Sequence, residues 1–353
     1  LQITATLTKS GETTTFATDD VSPMSVRKVK FKIPATTTLS SGANELRIEV
    51  KDRKGVLLDQ QTINIEVRQP SVHHERTFIS AIDGSVQYYS VAPAIGGSVG
   101  KGLVLSVHGA SVEARNQARA YKMKDDLTVV AATNRRPFGF NWEEWGRIDA
   151  LEVLAQAKKI FKTDPARTYL TGHSMGGHGT WFLGTTYPDR FAAIAPCASY
   201  PDIITYGSGR GDLNNRESAI FEPIARAANG GRVLSMIENL KQSGVYVLHG
   251  DKDTTVPIEQ VRKMRKFWAI FIPIFVITNI LVASIGMATS RWIGNRFLSF
   301  LRVKLFRPTS RSRSSISAPH RPLFRLRIIG SRSNSRSKRM IFHALRPLSM
   351  AIQ

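Results

Sequence analysis

The sequence predicts an α/β fold, a mostly parallel sheet with helices on both faces, preceded by a small all-β sandwich of immunoglobulin-like type. Two patterns carry this reading. Residues 1–70 alternate apolar and polar positions with a period of two and contain no helical stretch. From about residue 76, strand-like runs alternate with helical ones, the pattern of a parallel sheet built from crossover units. A third pattern, the distribution of charge, sets residues 268–353 apart from both.

In the first region Val29, Phe31 and Ile33 alternate with Lys28, Lys30 and Lys32. Leu46, Ile48 and Val50 follow the same rule, as do Ile63, Ile65 and Val67. Such spacing buries one strand face and solvates the other. Asp52 and Gly55 bound a hairpin turn between the last two runs. The lysines read as a solvated strand face, with an anion-binding surface as the alternative.

In the second region, 76–267, strand-like runs fall at 76–81, 86–91, 103–107, 127–132, 168–171 and 245–248. A helix is predicted over 148–161, with Leu151, Leu154, Ala155, Ala157 and Ile160 near one face. Residues 200–244 read as an insertion: a loop over 207–215, then two further helices. It would lie over the carboxyl ends of the strands, where α/β folds bind ligands.

The net charge of +22 would by itself suggest a nucleic-acid or anionic-membrane partner. Its distribution removes that inference. Residues 266–353 hold 16 of the 49 Lys and Arg and none of the 27 Asp and Glu, leaving 33 basic against 27 acidic residues before them. The basic excess belongs to the tail, and no nucleic-acid partner is expected for the body. Cys197 is the only cysteine, so an intrachain disulfide is excluded. The chain starts at Leu1, so a leader would be invisible in it, and the expectation leans to a secreted or periplasmic protein.

Three motifs carry chemistry. Gly172-His173-Ser174-Met175-Gly176 is a G-x-S-x-G sequence between a strand-like run and a helix-compatible stretch reaching about Tyr187. That setting is what a nucleophile elbow needs, because its serine sits on a strained turn that tolerates only small neighbours. Val107-His108-Gly109-Ala110 follows the 103–107 run, where one oxyanion-binding amide is expected. The amides of Ala110 (or Gly109) and Met175 are the candidates, with His108 a structural loop residue. His249-Gly250-Asp251-Lys252-Asp253 follows the 245–248 run and supplies the acid. Asp253 is the first choice and Asp251 the second, since Asp251 also suits a capping role for the helix near Ile258. The aromatic stretch Phe138–Trp145 either lines a substrate cleft or packs in the core.

Together G-H-S-M-G-G-H-G-T-W, V-H-G-A and H-G-D-K-D-T-T-V-P resemble the prolyl oligopeptidase and esterase branch of the α/β-hydrolases, over roughly residues 76–267. The resemblance implies a serine hydrolase acting on a small peptide or ester substrate through an acyl-enzyme on Ser174, without metal or organic cofactor. The small β domain stands where the large members carry a propeller.

The resemblance also implies a histidine some tens of residues beyond Asp253. Instead, residues 267–288 contain neither charge nor histidine, and only His320 and His343 follow, in the Arg/Ser-rich tail. Read literally, 267–288 is a membrane-span candidate, and the alternative function is a non-catalytic, membrane-anchored binding protein. A nucleotide missing at codons 267–268 explains the departure more simply. In the restored frame Phe267 with Trp268 forces leucine and Trp268 with Ala269 forces glycine. Met287 with Ala288 forces glycine, and Trp292 with Ile293 forces aspartate. Permitted codons allow a Glu-His-Trp sequence at Ala283–Gly286. On this expectation residues 268–353 are out-of-frame, and the chain as written is crippled.

Overall fold

Alternation along the N-terminal strands puts one face of each into a common core. The strands are β1 (Gln2–Leu7), β2 (Thr13–Ala17), β3 (Val26–Lys32), β4 (Gly42–Lys51), β5 (Leu57–Arg68) and β6 (His74–Ile79). In the computed structural model the described residues are 1–32, 39–136, 141–206, 222–268, 275–280, 323–329, 341–343 and 349–351. The chain divides into two compact units, Leu1–Tyr88 with Arg311–Gln353, and Tyr89–Ser310.

In the first unit β2, β1, β4 and β5 form an antiparallel sheet in that order. The β4–β5 turn closes as the alternation predicts: Asp52 Oδ1 accepts from the amides of Lys54 and Val56, and Gly55 takes a φ of 82° that favours glycine. Ile3, Ala5 and Leu7 of β1, Leu46, Ile48 and Val50 of β4, and Ile65 of β5 point to one side. There they pack on Val29 and Phe31 of β3, which belongs to a different sheet. Two sheets thus share one apolar layer, a β-sandwich. The partner of β3 is β14 (Leu323–Ile329), which also pairs with β15 (Ile341–His343), while β16 (Ser349–Ala351) lies beside β5 and β6.

The second unit is organised around seven described strands of one sheet. They are β7 (Val86–Ala92), β8 (Gly102–Val107), β9 (Leu127–Ala131), β10 (Thr168–His173), β11 (Ala193–Cys197), β12 (Gly244–Gly250) and β13 (Phe275–Ile280). Their order is β13-β12-β11-β10-β8-β9-β7, parallel throughout except that β7 runs antiparallel to β9. Every residue of β8, β9 and β11 is buried. The helices are α1 (Ala114–Arg119), α2 (Glu144–Phe161), α3 (Met175–Thr186), α4 (Ile203–Tyr206), α5 (Glu222–Ala227), α6 (Val233–Met236) and α7 (Glu259–Trp268). This is the α/β-hydrolase fold. The chain leaves β8 for β9 on one side and returns to β10 on the other. The carboxyl ends of β8 and β10 therefore meet at the topological switch point, where a site is expected.

Some expectations need correction. α2 starts at Glu144, and its buried stripe is Gly146, Asp149, Ala150, Val153, Leu154 and Ala157. Ala155 is exposed and Leu151 only half-buried, because the helix turns its aspartate inward rather than its leucine. Strand β11 was not anticipated, since Ala-Ile-Ala-Pro-Cys carries neither a period of two nor a run of β-branched residues. Trp142 is fully buried in the core and Trp145 largely exposed, whereas Phe138, Gly139 and Phe140 lie outside the described residues. So do the 207–215 loop and most of 267–288. Among the described residues, no helix is long and apolar enough to cross a membrane.

Candidate active site

β10 runs directly into Ser174, and α3 begins at the next residue. Ser174 has φ 57° and ψ −118°, a conformation that costs a non-glycine residue of order 1–3 kcal/mol and needs outside support. The support is visible. The Ser174 amide donates to the Cys197 carbonyl at 3.0 Å, and the His178 amide donates to the Ser174 carbonyl at 3.1 Å. Neighbouring chains approach so closely that only glycine fits: a Cβ on Gly176 would stand 2.0 Å from the Val107 oxygen, and one on Gly172 2.3 Å from the Gly176 oxygen. The small residues of the motif are thus required by packing against β8.

The loop after β8 lies against this turn. A Cβ on Gly109 would stand 3.6 Å from the Ser174 Cβ, and Ala110 follows, exposed. Met175 is buried at the first position of α3, where the leading amides of a helix lack intrahelical acceptors and carry the positive end of its dipole. His108 is fully buried between the carbonyls of Gly109 (2.9 Å) and Thr133 (3.3 Å), and burial depresses its pKa. Both of its ring nitrogens thus face backbone carbonyls. Trp142 holds the same turn, donating from Nε1 to the His108 carbonyl at 2.9 Å.

Asp253 sits in the loop after β12 with its carboxyl only 4% exposed. Its Oδ1 accepts from the amides of Thr255 and Val256, each at 2.9 Å, and its Oδ2 lies 3.9 Å from His249 Nε2. His249 is not a free base. Its Nε2 donates to the Val256 carbonyl at 2.8 Å, its Nδ1 is buried without a hydrogen bond, and burial lowers its pKa. The His173 imidazole, next to the serine, is also pushed down by burial while the Asp253 charge pulls it up, so the loop after β12 reaches the turn at Ser174 electrostatically. Asp251 differs from Asp253: its Oδ1 is buried with no hydrogen-bond partner.

Residues 134–267 match the model of the prolyl oligopeptidase family. The match covers less than half of the chain. Two curated proteins are similar in sequence. One is an "uncharacterized secreted protein" of Arthroderma benhamiae, 26% identical over 46% of this chain and 19% of its own length. The other is poly(3-hydroxyalkanoate) depolymerase C of Paucimonas lemoignei, 29% identical over 36% of this chain and 33% of its own. The match therefore spans a third or less of either relative. Among solved structures, an acylaminoacyl peptidase of Pyrococcus horikoshii superposes with a TM-score of 0.50 at 15% identity. It covers 77% of this chain and 49% of that one, a likeness of fold.

Within the segment that matches this family model, the stretch from Asn134 into α2 holds residues that the sequence reading passed over. Asn134 and Arg135 have φ of 57° and 61°. They are held by Asp149, whose Oδ2 accepts from the Thr133 amide at 3.1 Å and whose Oδ1 faces Arg135 Nε at 3.2 Å. Burial pushes the Asp149 carboxyl up to about 6, against the opposing pull of Arg135 and Thr133. Asn141 then places its amide on Met175 Sδ at 2.8 Å, and its Nδ2 donates to Glu143 Oε1 at 3.0 Å. An aspartate at helical spacing among Gly146, Ala150 and Val153 was the one signal available beforehand.

Proposed function

We propose that the protein is, by descent, a serine hydrolase that cleaves a small ester or peptide through an acyl-enzyme. The observation that carries the reading is Ser174 at φ 57° on a strand–turn–helix elbow packed against the β8 loop. In the reaction the Ser174 hydroxyl attacks the substrate carbonyl while an imidazole takes its proton. The amides of Met175 and Ala110 hold the resulting oxyanion, and Asp253 orients the imidazole and stabilises its charged form. The imidazole returns the proton to the departing alcohol or amine. Water then repeats the sequence on the acyl-serine, restoring the hydroxyl and releasing the acid.

That imidazole is the histidine of the frame restored at codons 267–268. The family match supports the restoration, since it ends at residue 267, where the polar sequence gives way. In the chain as written, His249 and His108 are engaged with carbonyls, and turnover is expected to fall on the order of a million-fold. The depolymerase relative is named for a polyester, so an ester is the first probe. The test compares the 353-residue chain with a version carrying one thymine restored at codons 267–268, both on a p-nitrophenyl ester. Hydrolysis by the restored chain alone, lost in Ser174→Ala, is the expected result. Equal rates in the two chains, or a restored chain that stays inert, would sink the proposal.

A further inference from the structure

Behind the elbow lies a fully buried histidine whose two ring nitrogens both face oxygen. His178, in the first turns of α3, is 0% exposed. Its Nδ1 stands 3.1 Å from the Pro201 carbonyl oxygen, which can only accept, and its Nε2 stands 2.9 Å from Glu143 Oε1. A neutral imidazole has one N–H and one lone pair, so it would turn a lone pair toward one of these oxygens. The same Oε1 already accepts from Asn141 Nδ2. With both protons on the ring, every one of these contacts is a donor meeting an acceptor, and the buried charge has a carboxylate partner.

The surroundings fit a cation. The ring lies flat against Tyr200 at 5.0 Å with an interplanar angle of 4°, and Phe182 flanks it at 6.3 Å. Burial pushes the Tyr200 phenol up, leaving it neutral, and hydrogen bonds from His178 and Asn141 hold Glu143 below the usual carboxylate range. Among the described residues, Glu143 and Tyr200 are the titratable groups that face this ring, with Tyr206 stacked behind Tyr200 at 4.2 Å.

We propose that Glu143 and a doubly protonated His178 form a buried ion pair that positions the elbow. The pair reaches in two directions. Toward the serine, Glu143 holds Asn141, and Asn141 donates to Met175 Sδ, the residue after Ser174. Toward the acid, His178 stacks on Tyr200 and Tyr200 on Tyr206, whose hydroxyl donates at 2.9 Å to the carbonyl of Thr255, itself bound to Asp253. The insertion is tied in as well: a Cβ on Gly231 would stand 2.7 Å from Glu143 Oε1. The inference leans on the proposed acyl transfer only for what the Met175 amide and Asp253 do.

The test therefore needs no turnover. In the full chain, labelled with ¹⁵N-histidine and methyl-¹³C-methionine, the His178 ring is assigned by its loss in His178→Asn. At pH 7.5 both of its nitrogens should be protonated, and Glu143→Gln should abolish that pattern and shift the Met175 methyl and Thr255 amide resonances. A wild-type titration covers the case in which the variant fails to fold. As the pH is raised, the His178 ring and the Met175 methyl should change with one shared midpoint. A neutral His178 at pH 7.5 would overturn the ion pair, and separate midpoints, or an unmoved Met175, would overturn the positioning role. An inert frame-restored enzyme beside a positive NMR result would count against the catalytic reading alone.

Discussion

Strands β4 and β8 are both central, and they bury their residues in opposite ways. β4 alternates, with Leu46, Ile48 and Val50 inside and Glu45, Arg47 and Glu49 turned outward, whereas all six residues of β8 are buried. The backbone is the same extended chain in both. What differs is the cover: a sandwich strand meets one apolar layer, while a strand of the parallel sheet has helices on both faces. The comparison teaches where the molecule can change. The N-terminal unit offers a tolerant position at every second residue, and the sheet that carries Ser174 offers almost none.

The largest expected effect separates function from stability. In the frame-restored protein, Ser174→Ala should cost on the order of a million-fold in kcat. Leu46→Ala, in the N-terminal sandwich, should leave kcat within about twofold, measured where the variant is fully folded. A large rate effect of Leu46→Ala would break the division between the two regions.

Next come the cores. Leu46→Ala and Leu105→Ala each remove a fully buried side chain and should cost about 2–5 kcal/mol in urea unfolding. Gly176→Ala should cost about 3 kcal/mol although it adds only a methyl group, because the Cβ would stand 2.0 Å from a backbone oxygen that cannot retreat. A neutral result there would mean that the Ser174 turn and β8 are further apart than described.

The pH dependence of the N-terminal unit gives a smaller effect. His74 is buried, its Nδ1 bonded to the Val72 carbonyl at 2.7 Å and its Nε2 without a hydrogen bond, so burial lowers its pKa from 6.5 to about 4. The unfolded chain binds that proton more readily, so the associated stability is complete above pH 6.5 and is lost as the pH falls toward 4. The loss should be of order 2–3 kcal/mol. His108, His173 and His249 add losses of the same sign elsewhere, so the informative quantity is the difference from His74→Gln. The urea midpoints of the two proteins should converge on acidification, and a constant gap would dismiss the explanation. Smallest of all, Arg47→Ala on the solvated face of β4 should change stability by less than about 0.5 kcal/mol.

What could be read from the chain alone was what adjacent residues decide. The alternation at Leu46, Ile48 and Val50, the turn at Asp52 and Gly55, and the apolar run before Gly172-His173-Ser174-Met175-Gly176 each state a burial pattern or a backbone demand within a few positions. The Asp253 carboxylate is held in the same local way, its Oδ1 accepting from the amides of Thr255 and Val256. The tertiary structure decided what depends on partners distant in sequence. It turned Asp149 inward because Thr133 and Arg135 come to meet it, and it joined His178 to Glu143 across 35 residues of chain. It also set β10 and β9 on opposite sides of β8. A buried polar group is tolerable only with its partner in place, and no local window contains both members of such a pair.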